Sequence, residues 1–113
     1  MAGSTRSDTD VAAKLFRGFG DRTRLAILAE LADGERRVTD LVETLGRSQS
    51  TISSHVACLR DCGLVEARVE GRQMFYRVAF PEVVALLRSA EELLTEIGHE
   101  VELCPNYTTS REL

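Results

Sequence analysis

Residues 48–65 read SQSTISSHVACLRDCGLV. Ile52, Val56 and Leu59 recur at i, i+4 and i+7, which is the apolar stripe of a helix, and Gly63 stops it. From Ser48 to His55 every side chain except Ile52 can hydrogen-bond. Serine and threonine are poor helix formers, so something other than propensity selects this run. A helix that enters the major groove of DNA needs short polar groups at its N-terminal end, where base edges and phosphates approach. Gln49 suits an adenine edge, and Ser48, Ser50, Thr51, Ser53 and Ser54 suit bases or phosphates. The competing reading is a solvated polar face, which is strong for any single serine and weaker for the run.

Upstream, a short helix begins with Thr39 as its cap candidate, buries Leu41, Val42 and Leu45, and closes at Gly46. Asp21 is the N-cap candidate of an earlier helix with Leu25, Leu28, Leu31 and Ala32 on one face, ended by Asp33-Gly34. Val11, Leu15, Phe16 and Phe19 give a first helix from Asp10, and residues 1–9 read as a frayed tail. Downstream, Leu64 to Val69 and Gln73 to Val78 alternate loosely around a Glu70-Gly71-Arg72 turn, which makes a hairpin. Pro81 fits the first turn of a last helix ending near Gly98. The predicted order is α-α-α-α-β-β-α: a mainly α domain over residues 10–98 in which a helix-turn-helix is followed by a hairpin wing. Residues 99–113 form a C-terminal tail. Arg47 precedes the polar helix, where a phosphate contact is plausible. Arg72, nearest the hairpin tip, is the best wing candidate for phosphate or minor groove. Arg68 and Arg77 are equally well explained as charges that blunt a strand edge.

The chain has 113 residues, enough for one core, and its 43% hydrophobic content is too high for a disordered chain. No apolar run is long enough to span a bilayer. Met1 to Asp10 lacks the apolar stretch of a secretory signal. Three cysteines are an odd number for a closed disulfide framework, so a cytoplasmic protein with free thiols is expected. The net charge of −4 is unevenly placed. Residues 34–80 carry seven Arg against six acids, whereas residues 81–113 carry two Arg against seven Glu. The middle of the chain can therefore still face a polyanion.

Two separated segments carry a specific resemblance. DRTRLAIL (21–28) resembles the D-x-T-R-x-x-I-L opening of the ArsR/SmtB family of winged-helix repressors, with Arg22 in place of the common proline. The stretch 48–65 resembles that family's recognition segment, and EGRQMFYRV resembles its wing. The likeness covers roughly residues 10–98. It implies a homodimeric transcriptional repressor that leaves operator double-stranded DNA when an inducer binds. The apolar positions of the last helix are too many for one narrow stripe, so a second surface is needed. By the resemblance, the first and last helices form a dimer interface, through Leu15, Leu86, Leu87, Ala90, Leu93, Leu94 and Ile97.

Cys58 and Cys62 lie one turn apart on one helix face, and Cys104 lies in the tail. Three thiolates suit a soft, thiophilic ion, while free cysteine is also a common small core residue. The C-L-R-D-C arrangement with a C-terminal cysteine resembles the CmtR-type branch of the family, which senses cadmium and lead. That likeness implies Cys58, Cys62 and the partner's Cys104 as ligands and Cd(II) or Pb(II) as inducer. The family's zinc site on the last helix is not matched, since Phe80, Glu82 and Leu93 stand at its positions and only Glu96 suits. His55, one turn before Cys58, is a candidate fourth ligand, although the resemblance favours a structural or DNA-facing role. Arsenite response and thiol redox sensing on the same fold remain alternatives, and so does a non-DNA interaction module. No phosphate loop, Ser-His-Asp arrangement or paired-acid pattern supports an enzyme.

Overall fold

The computed structural model describes residues 2–103. Its elements run α1 (Ala2–Phe19), α2 (Arg22–Ala32), α3 (Val38–Leu45), α4 (Gln49–Asp61), β1 (Val65–Glu70), β2 (Gln73–Val78) and α5 (Pro81–Glu96). This is the predicted order. The described residues hold a winged helix-turn-helix in which the two strands form one antiparallel hairpin.

Local chemistry explains most boundaries. Asp21 caps α2, its carboxylate accepting from the Arg24 backbone N–H at 2.9 Å. Ser48 caps α4, its hydroxyl oxygen accepting from the Thr51 N–H at 3.2 Å. Gly46 (φ 68°) ends α3 in the left-handed conformation that a side chain would resist. The tight α3–α4 connection depends on it. At the other hairpin end, Glu70 pairs with Gln73, leaving Gly71 and Arg72 as a two-residue loop with Gly71 at φ 64°.

Two boundaries and one stripe differ from the sequence expectations. The first helix starts at Ala2, so α1 takes in most of the stretch read as a tail. The cap of α3 is Arg37 rather than Thr39. Asp40, three residues on, accepts from the Arg37 backbone N–H at 2.9 Å and from its guanidinium at 2.9 and 3.1 Å. That ion pair holds the Asp40 carboxyl below the usual carboxylate range and raises Arg37. Thr39 is instead exposed on the helix. The last helix ends as expected, at Glu96 with Ile97 as its cap and Gly98 (φ 99°) directly after it. In α2, Ile27 joins the buried face beside Leu28, Leu31 and Ala32, whereas Leu25 is only half-buried.

The core is built around α2. Ile27, Leu28 and Leu31 pack with Leu41 of α3, Ile52, Val56 and Leu59 of α4, Leu64 and Val65 before and in β1, and Val83, Val84 and Leu87 of α5. Every element therefore contributes apolar area to one cluster, each buried large side chain worth roughly 1.5–3 kcal/mol. The α2–α3 link makes one further contact. Arg36 and Tyr76 exchange both backbone hydrogen bonds (3.0 and 2.8 Å), an isolated antiparallel rung that hangs the hairpin on the helical body.

Candidate nucleic-acid interface and thiol pair

Burial of Ile52, Val56 and Leu59 fixes which way α4 faces. Its opposite side presents Gln49, Ser50, Ser53 and Ser54, all exposed, with exposed Arg47 and Ser48 immediately before it. The Ser48 hydroxyl donates to Thr51 Oγ1 at 2.9 Å, so Ser48 and Thr51 are partly engaged in capping while Gln49 stays free to reach outward. Thr51 itself is half-buried.

His55 sits differently from the other polar residues of this run. It is half-buried and turned toward the start of α2, with Nδ1 3.5 Å from the Arg24 guanidinium and Nε2 3.9 Å from the Asp21 carboxylate. Arg24 also donates to the carbonyls of Gly18 (3.1 Å) and Arg17 (3.0 Å) at the end of α1. Asp21, Arg24 and His55 thus form a polar joint between α1, α2 and α4. The backbone bond from Arg24, ahead of the nearby His55, holds the Asp21 carboxyl below its ordinary value. Sequence reading placed Asp21 as a cap and missed Arg24. The signal available was an arginine three residues after a cap.

The arginines of the hairpin separate into two kinds. Arg68 donates from Nε and Nη2 to both Glu35 oxygens (3.1 and 2.7 Å), and its Nη1 meets Glu70. Its guanidinium also lies 5.1 Å above the Phe75 ring centre. Arg77 donates to Glu66 at 2.6 Å and faces Glu35 at 3.6 Å. Hydrogen bonding to Arg68 holds the Glu35 carboxyl below the usual carboxylate range and raises Arg68. Arg72 at the tip and Arg47 before α4 are exposed and make no ion pair among the described residues. Glu35 was not legible as a partner, since 33 residues separate it from Arg68.

Cys58 and Cys62 form no disulfide and are half-buried at the C-terminal end of α4. The Cys62 N–H donates to the Cys58 carbonyl at 3.0 Å, the i+4 relation that stacks their side chains on one face. Cys62 lines a cleft of about 330 Å³ with Val11, Lys14, Leu15 and Asp61, between α1 and the end of α4. Among the described residues no three His, Cys, Asp or Glu side chains converge as a metal site, so His55 does not complete one with the two thiols. Cys104 lies outside the described residues.

The candidate dimer residues also separate. Leu93 and Ile97 are each 63% exposed at the end of α5, and on α1 Phe16 is 60% and Val11 68% exposed. Leu86, Ala90 and Leu94 are half-buried and line an apolar cavity of about 280 Å³ with Phe16, Phe19, Leu25 and Leu103. Leu15 is half-buried beside Cys62. Leu87 is the correction: at 1% exposure it belongs to the core of its own protomer, on the side of α5 turned toward α2. Sequence reading also missed Glu91, wholly buried one turn after Leu87, whose carboxylate accepts from the Leu103 N–H. A charged residue inside an apolar stripe was its signal.

No helix among the described residues is long and apolar enough to cross a membrane. Residues 21–67 match the model of the family described as bacterial regulatory protein, arsR family. The chain is 38% identical over 95 residues to a "Probable mercury resistance operon repressor" of Streptomyces lividans, covering 84% of this chain and 76% of that one. It is 46% identical over 67 residues to the HTH-type transcriptional regulator CmtR of Mycobacterium tuberculosis, covering 59% of this chain and 57% of that protein. A solution structure from Mycobacterium bovis, described as a homodimeric winged helix-turn-helix DNA-binding domain, superposes with a TM-score of 0.76 at 31% identity, covering 86% and 90% of the two chains.

Proposed function

The chain belongs to the arsR family of bacterial regulatory proteins, and from that premise we propose that it is a homodimeric, cytoplasmic repressor released from its operator by a thiophilic metal ion, Cd(II) or Pb(II). It is a DNA-binding transcriptional regulator and not an enzyme. The finer reading is carried by one observation: the helix that presents Gln49, Ser50, Ser53 and Ser54 at one end holds two cysteines on one face at the other. The mercury resistance operon repressor, by its name and likeness, supports a metal-responsive role.

The donor set fits a soft ion, because thiolate sulfur suits such ions better than oxygen does. Two thiols alone leave the coordination incomplete, and the described residues offer no third donor beside them. Cys104 of the C-terminal tail, residues 99–113, supplies that third sulfur, and the partner's Cys104 does so across the dimer. Cys58, Cys62 and Cys104 would hold the ion, which when bound would link α4 to the tail. Cys58 and Cys62 must lose their protons to hold it, so ion affinity falls as pH drops.

DNA reading rests on Gln49 and the serines at base edges, with Arg47, Ser48 and Arg72 on phosphates. Thr51 and His55 act mainly in placing α4. The dimer forms through the uncovered apolar sides of α1 and α5, using Leu93, Leu94, Ile97, Leu86 and Ala90. Tying the C-terminal end of α4 to a tail would release the operator by favouring a geometry unsuited to DNA. A coupling of ~1–3 kcal/mol, or 5- to 150-fold in operator affinity, is the usual scale for such an effector.

Titration of the reduced protein with Cd(II), followed by thiolate-to-metal absorption, tests this reading. A sharp endpoint at one ion per protomer is expected, weakened in Cys104→Ser and lost in Cys58→Ser. Equal titration of Cys104→Ser and wild type would remove the tail from the site. No saturable absorption at all would leave a regulator whose thiols answer to something other than metal.

A further inference from the structure

We propose that Glu35 is a positioning residue for the wing: by holding Arg68 at two points and facing Arg77, it withdraws two of the three wing arginines from phosphate and leaves Arg72 as the wing's single DNA-facing cation. The proposal rests on the DNA-binding reading and adds a limit to it.

The geometry is that of a clamp reaching across the chain. Glu35 stands in the α2–α3 link, one residue before the Arg36–Tyr76 rung. Both of its oxygens accept from the Arg68 fork (3.1 and 2.7 Å), and one of them lies 3.6 Å from Arg77 Nη1. A guanidinium bound at two points is held in orientation as well as in place. Arg68 has its third nitrogen on Glu70 and its face over Phe75, so no arm is left pointing toward a duplex. Arg77 has Nε on Glu66. Arg68 and Arg77 stand on opposite strands, Arg68 across from Phe75 and Arg77 across from Glu66. One carboxylate outside the hairpin therefore holds both of its strands.

Charge supports the same conclusion. Residues 65–78 carry three Arg and two Glu, and Glu35 brings that group to neutrality. A wing with three free cations would bind any duplex, since phosphate contacts carry no sequence information. Internal neutralisation keeps the sequence-independent part of binding small, so the ratio of specific to non-specific affinity depends on α4. Glu35 thereby acts on specificity without touching DNA.

The test needs no knowledge of the operator. Binding of the full-length protein to a fluorescein-labelled duplex of mixed sequence, roughly 30 base pairs, is measured by anisotropy between about 50 and 200 mM NaCl. Each phosphate neutralised contributes ~0.9 to the slope of log affinity against log salt. In Glu35→Gln the slope steepens by about 1–2, and binding at the lowest salt tightens by about 3- to 10-fold. Glu35→Asp, which keeps the charge, retains the wild-type slope. In the wild-type background Arg72→Ala lowers the slope by about 1 and Arg68→Ala leaves it unchanged. A role confined to fold stability would weaken binding in Glu35→Gln with an unaltered slope, and that result would overturn the proposal. So would a lower slope in Arg68→Ala, which tests the same point in a chain that retains Glu35. Failure of the wild-type protein to bind the duplex at all overturns both the proposal and the reading beneath it.

Discussion

The outward sides of α4 and α5 are both uncovered in the protomer, and they differ in kind. On α4 the apolar residues Ile52, Val56 and Leu59 are all buried, and what remains outside is Gln49, Ser50, Ser53 and Ser54. On α5 the burial of Val83, Val84 and Leu87 still leaves Leu93 and Ile97 outside, and Phe16 of α1 is exposed as well. A polar face can stay in water indefinitely and is available for hydrogen-bonding to a base edge. An apolar face of this extent calls for another apolar face. The two helices contribute to one core and point their surplus chemistry at different partners.

The largest effect expected from breaking this contrast comes from making α5 resemble α4. Leu93→Glu with Ile97→Glu places four carboxylates in a two-fold interface, where burying unpaired charge is costly. Sedimentation should show monomers, and affinity for operator DNA should fall more than about 100-fold as the two half-sites uncouple. Both side chains are exposed, so the thermal midpoint of the protomer should hardly move. A variant that remains dimeric would mean that the apolar face has no partner of its own kind.

A middle-sized effect should come from the α4 side. Gln49→Ala should lose ~1–3 kcal/mol of specific operator binding, about 5- to 150-fold, with non-specific binding and the dimer unchanged. Equal losses on specific and mixed-sequence DNA would move Gln49 from base reading to general phosphate contact. The smallest effect concerns the carboxylates that hydrogen bonds and ion pairs hold within the protomer. Asp21, Glu35 and Asp40 all have carboxyls below their unfolded values. Stability from these groups is present above the unfolded pKa, about 4, and is lost as pH falls through the lower folded values. Thermal melts should therefore weaken below about pH 4. Asp21→Asn keeps a capping oxygen and removes the charge, so it should lose less on acidification than the wild type. An identical acid profile would show that the Asp21 charge adds nothing to the cap.

What could be read from the sequence was whatever is decided within a few residues. Ser48 as a cap, Gly46 and Gly63 as stops, a turn at Glu70-Gly71-Arg72 (of which Glu70 proves to be the last strand residue) and Pro81 at a helix start all follow from local backbone chemistry. The family resemblance rests on those same segments, and matches to known proteins now show the family. The misplaced cap of α3 has a local cause too: an arginine is a poor cap by type, and Asp40 compensates by reaching back to its N–H. Long-range pairing was not legible. Nothing near Glu35 announces Arg68, and nothing in an apolar helix says that Leu87 turns inward while Leu93 turns out. Helical periodicity gives relative angles around an axis; only packing against α2 gives the direction of zero. The candidate site divides in the same way, since the polar run and the cysteine spacing are local and the joint of Asp21, Arg24 and His55 is not.

The single rung between Arg36 and Tyr76 has a mechanical consequence. The rung, the buried Val65 and the Glu35 clamp on Arg68 and Arg77 all fasten the hairpin toward its base, so it is the stretch beyond them that can tilt. From Tyr76 to Arg72 is four residues, about 13 Å of strand at ~3.3 Å per residue. A tilt of about 10° at the rung would carry the tip sideways by about 2 Å over such a lever, and would scarcely displace Arg77, which adjoins the pivot. The tip can therefore follow the width of a groove while the base of the wing keeps its place, and adjustment costs little because the moving part is short and is fastened only toward its base.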